Sequence, residues 1–177
     1  MTQRSKGTLD GLFAANTSGD IEPVDLLDFV DSSVHSHGSL YVSSAVATTI
    51  AVAGTFVKML GSTSLVGGHR FTMPANNRLT YTGTISVHAH IVVNLSTTSS
   101  GNNQVLQFAV AQNGTLLDHS IMEHKITTSS ESKIMTIHAD ATLAANDYLE
   151  IWCTNTTSTA SLTTERAYMY AMGMLLE

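Results

Sequence analysis

Two histidines, His88 and His90, lie within Thr84-Ile-Ser-Val-His-Ala-His-Ile-Val-Val-Asn-Leu95. Side chains two apart on a strand point the same way, so the pair could offer two imidazoles to one metal ion. The residues that follow, Val93, Asn94 and Leu95, supply no carboxylate to complete such a site. The single cysteine, Cys153, excludes an internal disulfide. It alternates with Leu149 and Ile151, as a small core residue would, and no base marks it as a nucleophile. Serines and histidines are plentiful, but there is no Gly-x-Ser-x-Gly elbow and no glycine-rich strand-turn-helix to cradle a phosphate. The acids Glu123, Glu131, Asp140, Asp147, Glu150 and Glu165 fall near turns or at outward positions and read as solvated, which leaves no carboxylate pair for glycoside hydrolysis. No catalysis, no bound metal and no cofactor are expected.

The element that carries the histidines has the period of a strand. Ile85, Val87, Ala89, Ile91, Val93 and Leu95 form an apolar face, while Ser86, His88, His90, Val92 and Asn94 form a face without formal charge. A strand facing water usually carries Lys, Glu or Asp there. This face is therefore expected to meet another subunit, which points to an assembling structural protein. The last strand repeats the pattern: Ala167, Met169 and Ala171 on one side oppose Tyr168, Tyr170, Met172 and Met174 on the other, too apolar for free solvent.

At 177 residues the chain has room for one domain and an appendage. Charged residues make up 12% and the net charge is -6, which disfavours nucleic-acid binding through a basic surface. Six acids (Asp10, Asp20, Glu22, Asp25, Asp28, Asp31) crowd residues 1–38 against Arg4 and Lys6, and no acid occurs from Ser32 to Leu117. An acidic arm, residues 1–38, and a neutral body, residues 39–177, follow from this. No signal peptide and no membrane-spanning run are expected. The sequons at Asn16, Asn94, Asn113 and Asn155 read as coincidence in a chain rich in Ser and Thr.

One short helix is expected in the arm, about residues 22–31 in Asp20-Ile-Glu-Pro-Val-Asp-Leu-Leu-Asp-Phe-Val-Asp31. Pro23 suits its first turn and the preceding acids suit its positive end. Val24, Leu26, Leu27, Phe29 and Val30 form its apolar side, and a helix this short needs a surface to dock on. Ser32–Gly38 reads as a hinge. Thereafter turn signals separate strands: Thr48–Ala53 and Thr55–Met59 about Gly54, a loop punctuated by Gly61, Gly67 and Gly68, then Arg70–Thr72 and Asn77–Thr82 about Pro74. Thr84–Leu95 is followed by a polar loop, Ser96–Asn103. Gln104–Gln112 ends at the hairpin signal Asn113-Gly114. Thr115–Ile121, Met122–Thr127, Lys133–Ala139, Asp147–Thr154 and Ser161–Leu175 complete the series. Eight to ten strands without an intervening helix imply an all-β, antiparallel jelly-roll sandwich.

Arg70-Phe71-Thr72-Met73-Pro74, followed by Leu79-Thr80-Tyr81-Thr82-Gly83, resembles the central signature of the tumour-necrosis-factor and complement-globular-head jelly rolls. The long strand after it and the late Gly173 fit the same pattern, over about residues 45–177. The His88/His90 pair is similar to that of cupin jelly rolls, but those add a Glu a few residues on, which is absent here. The whole chain resembles small structural proteins of tailed bacteriophages through the arm segment 20–31, Gly38-Ser-Leu-Tyr-Val42, and Asn113-Gly-Thr-Leu-Leu117 after a Phe-x-Val-Ala strand. The collagen or membrane stalk usual in the receptor-like families has no counterpart here.

The resemblance implies a homotrimer in which the sheet holding the long central and last strands faces the three-fold axis. His88, His90, Tyr168, Tyr170 and Met172 would then be interface residues, the histidines neutral and hydrogen-bonded rather than metal ligands. It further implies a capsid decoration or cement protein on the virion exterior, made in the bacterial cytoplasm. Its arm (Val24, Leu26, Leu27, Phe29, Val30) would dock on the major capsid protein or another virion protein. The alternative is a head- or tail-fibre tip that binds a host receptor or glycan through the loops 96–103, 127–131 and 155–161. Neither role involves nucleic acid or membrane.

Overall fold

Alternating burial dominates the chain beyond residue 35, and in the computed structural model it resolves into two antiparallel sheets. The structure describes residues 26–27, 29–30, 34–129 and 131–175. Among these, the strands are β1 (Ser36–Ala45), β2 (Ala47–Thr48), β3 (Val57–Lys58), β4 (Gly61–His69), β5 (Phe71–Ala75), β6 (Arg78–Tyr81) and β7 (Val87–Ser99). They continue as β8 (Gln104–Gln112), β9 (Thr115–Leu116), β10 (Met122–Ile126), β11 (Lys133–Leu143), β12 (Tyr148–Asn155) and β13 (Leu162–Leu175). A single 3₁₀ turn, Asp118–Ser120, interrupts the described strands of the body.

The first sheet has the order β11-β7-β13-β1-β4, with β2 beside β13. The second has the order β10-β8-β12-β6-β5, with β3 beside β12 and β9 beside β8. The chain passes from one sheet to the other at β2 to β3, β3 to β4, β4 to β5, β6 to β7, β7 to β8, β10 to β11, β11 to β12 and β12 to β13, so many sequence neighbours lie in opposite sheets. This is an antiparallel jelly-roll sandwich, as the alternation required. Ten strands have four residues or more, and three are two-residue additions. Val87, Ala89, Ile91 and Val93 of β7, Leu106, Phe108 and Val110 of β8, Leu149, Ile151 and Cys153 of β12, and Met169 and Ala171 of β13 are all fully enclosed. Each large aliphatic or aromatic side chain among them stabilises the fold by about 1.5–3 kcal/mol. Burial pushes the Cys153 thiol up to about 12 despite a hydrogen bond with Thr48, so this residue is the inert core group its spacing suggested.

Several elements differ from the sequence expectation. Gly61–His69 is the edge strand β4 rather than a loop. Gly68 serves close packing: a Cβ on it would sit 2.7 Å from the Phe71 carbonyl oxygen, and one on its partner Gly38 2.4 Å from Phe71 Cβ. Gly38, expected in a hinge with Ser36 and His37, therefore lies in β1, opposite Gly68 and Ala171. The long central strand starts later than expected, at Val87, and runs on to Ser99. Its polar end is buried, and Thr97 Oγ1 lies 3.1 Å from His124 Nε2. Residues 48–59 form only the short β2 and β3, with a turn at Gly54 between them. Residues 115–121 divide into β9 and the 3₁₀ turn. The corner at Pro74 is an irregularity in the pairing of β5 with β6 between Thr72 and Ala75, on an edge strand where a missing N–H costs no ladder bond.

Candidate functional site

The pleat that points Ile91 and Met169 into the core sends their neighbours to the outer face of the first sheet. There the strand register lines side chains up in rows. His69 of β4 pairs with His37 of β1, His37 with Met172 of β13, Met172 with His90 of β7, and His90 with Asp140 of β11. A parallel row runs Tyr41, Tyr168, Asn94, Thr136, with Thr136 Oγ1 donating to Asn94 Oδ1 at 2.7 Å. Tyr170 lies beside Val92, and Met174 beside His88. The structure thus brings His88, His90, Tyr168, Tyr170 and Met172 onto one continuous face.

That face is apolar and sparsely charged. Tyr41, Tyr168 and Met174 are exposed, and Ile134 has 82% of its surface in water. The register of β13 against β7 shifts between Thr164 and Arg166, leaving Glu165 as an extra residue. Beside this bulge an open groove of about 470 Å³ runs between Tyr41, Asn94, Ile134, Arg166 and Tyr168. Asp140 stands on the edge strand β11 at one end of the first row. The hydrogen bond from His90, with the nearby charges of His90, His88 and His119, outweighs the cost of its slight burial and holds its carboxyl below the ordinary range.

His37, Tyr41, Ile134, His138 and Asp140 join this face without having been singled out from sequence. They stand on strands other than the two whose patterns drew notice, and only the register places them beside His90 and Tyr168. Asp140 is exposed but not merely solvated: its Oδ1 lies 3.0 Å from His90 Nδ1. The carboxylate missing after His90 along the chain thus arrives from the neighbouring strand. Of the arm, Leu26, Leu27, Phe29 and Val30 are helical and exposed, and Val24 lies outside the described residues.

Glu150 corrects the expectation of solvated acids more sharply. It is 2% exposed on the outer side of β12, where Lys58 Nζ approaches to 2.7 Å, Arg78 Nη2 to 2.8 Å and Trp152 Nε1 to 3.0 Å. Burial alone would raise its carboxyl, but hydrogen bonds from Lys58, Trp152 and Arg78 together outweigh that and lower it. Arg78 also stacks over the Tyr148 ring at 3.9 Å. Every strong contact of this carboxylate is internal, so the cluster braces the second sheet.

Three polar loops meet at one end of the sandwich. The Ser100 amide donates to Ser161 O at 2.9 Å, that of Asn103 to Thr127 O at 3.0 Å, and that of Ser129 to Asn102 Oδ1 at 2.8 Å. Asn155 Nδ2 donates to Gln104 Oε1 and to Ala160 O beneath them.

No protein-family model matches the chain, and no curated protein matches it. Among solved structures, murine APRIL at pH 5.0 superposes with a TM-score of 0.55 at 9% identity, covering 80% of this chain and 100% of that one. Eiger TNF from S. frugiperda aligns with a TM-score of 0.49 at 12% identity over 81% of this chain and 94% of its own. The vertex protein P5 of PRD1 gives 0.45 at 11% identity, over 80% and 97%. The last two alignments are too loose to add to the assignment. The first shows the fold alone: the body of this chain is a jelly-roll sandwich like that of murine APRIL.

Proposed function

We propose that this chain is a non-enzymatic structural protein of a tailed-bacteriophage virion, a homotrimer that decorates and cements the capsid exterior. The observation that carries the reading is the outer face of the first sheet, with its rows of Tyr, Met and uncharged polar side chains. Exposed apolar side chains grouped on one face mark an interaction surface, and a second and third copy about a three-fold axis would cover it. His88, His90, Tyr168, Tyr170 and Met172 are then interface residues. The arm would carry the trimer to the shell: Leu26, Leu27, Phe29 and Val30 present apolar surface outward and, with Val24, would seat on the major capsid protein. Three arms per trimer multiply a weak contact into a strong one, since the second and third bind at high effective concentration.

Sedimentation equilibrium at micromolar concentration tests the assembly, with a trimer expected; a monomer would sink the reading. Electron microscopy of virions whose decoration protein lacks residues 1–38 tests the attachment. Loss of shell protrusions is expected, and retained protrusions would refute anchoring by the arm.

The hydrogen-bonded cluster of loops at one end favours a second reading, a fibre tip that holds a host-surface glycan. Ser, Thr and Asn side chains there suit hydrogen bonding to sugar hydroxyls. Binding on a glycan array that disappears when residues 156–160 are shortened is the expected result of that role.

A further inference from the structure

His90 stands between two partners on the outer face of the first sheet. Its Nδ1 is 3.0 Å from Asp140 Oδ1, and its Nε2 faces His138 Nδ1 at 3.4 Å. His90 Nδ1–H donates to the Asp140 carboxylate, so Nε2 is the ring nitrogen whose lone pair is available to a metal ion. At 3.4 Å this contact is a long hydrogen bond between the two rings. The same separation also matches another geometry. Two nitrogens, each about 2.0–2.1 Å from a tetrahedral zinc ion, lie roughly 3.3 Å apart. The rings are also close enough for one ion to reach both, with centroids 5.5 Å apart and planes tilted by 33°. Asp140 grips the far nitrogen of His90, as carboxylates grip the far nitrogen of metal-bound histidines and thereby fix the ring's tautomer and direction.

We propose that His90 Nε2 and His138 Nδ1 chelate a divalent transition-metal ion that favours imidazole, such as Zn²⁺, Ni²⁺ or Cu²⁺, and that Asp140 is the positioning residue for His90. Sheet register builds the site: Asp140 lies directly opposite His90, and His138, opposite Val92, is its diagonal neighbour. No group of three or more His, Cys, Asp or Glu converges on a single point among the described residues. The described residues therefore supply two ligands and leave the other positions open. His119 is not counted, because its Nε2 is turned to the Asp140 backbone at 3.2 Å. The pair belongs to one chain, so the site does not depend on trimerisation.

The test is calorimetric titration of the full-length, tag-free chain with zinc chloride at pH 7.5, with zinc-edge X-ray absorption of the loaded protein. One ion per chain and a shell containing two imidazoles are expected. His138→Gln should weaken binding at least about tenfold, and Asp140→Asn about 10–100-fold through the lost orientation of His90. His69→Gln, at the far side of the sheet, should leave it unchanged. Unaltered affinity in His138→Gln, one ion per three chains, loss in His69→Gln, or a shell without imidazole would each overturn the assignment.

Discussion

Glu150 shows what a single residue can hold together. Two cations and an indole N–H converge on a carboxylate almost closed to water. Lys58 and Arg78 are each about a third exposed, so in Glu150→Gln they recover part of their solvation. The expected loss is about 2 kcal/mol, read from urea unfolding. The pH dependence has a definite sign. Because folding lowers this carboxyl, its contribution is present at neutral pH and is lost as pH falls through the folded value, below the unfolded value of about 4.3. Glu150→Gln should therefore lose less stability than the parent between about pH 5 and pH 2. Gly38 is a second such residue. An added Cβ would press on Phe71 Cβ at 2.4 Å, and both belong to packed strands, so Gly38→Ala should lower stability by about 1–3 kcal/mol in the same assay.

At the scale of elements, turns and edges carry the information. Asn113 and Gly114 have φ of 53° and 77°, the left-handed pair that a two-residue hairpin between β8 and β9 requires. Gly114→Ala should cost about 1 kcal/mol by thermal unfolding, with the fold otherwise intact. The arm helix contributes differently. Leu26 and Leu27 are exposed, so Leu26→Asp with Leu27→Asp should leave the melting temperature of the body within about 2 °C. The same double change is expected to abolish attachment to shells lacking the protein, measured by co-sedimentation. The hairpin was legible because Asn-Gly has one strong structural meaning. β4 was not, because glycine reads the same in a turn as in a strand, where Gly68 packs against Phe71.

At the scale of the whole molecule, the first sheet presents a sparsely charged face, while the buried ion cluster braces the second. A charge set into that face should separate assembly from folding. Tyr168 is exposed on β13 at the groove, so Tyr168→Glu is expected to yield a folded monomer by sedimentation, with an unchanged far-ultraviolet circular dichroism spectrum. A trimer in that variant would move the interface off this face.

The sequence by itself determined the fold class, the inner and outer faces of the long strands, the hairpin at Asn113-Gly114 and the core placement of Cys153. Each of these follows from a period of two or from a local backbone demand, and both are written in neighbouring residues. Only the tertiary structure decided that Asp140 and His138 meet His90, that Glu150 is enclosed by Lys58 and Arg78, and that Gly38 lies across from Gly68. These pairings join residues 30 to 92 positions apart. They depend on the order and register of strands in a sheet, which is set by how all the strands pack at once and by no single stretch of the chain.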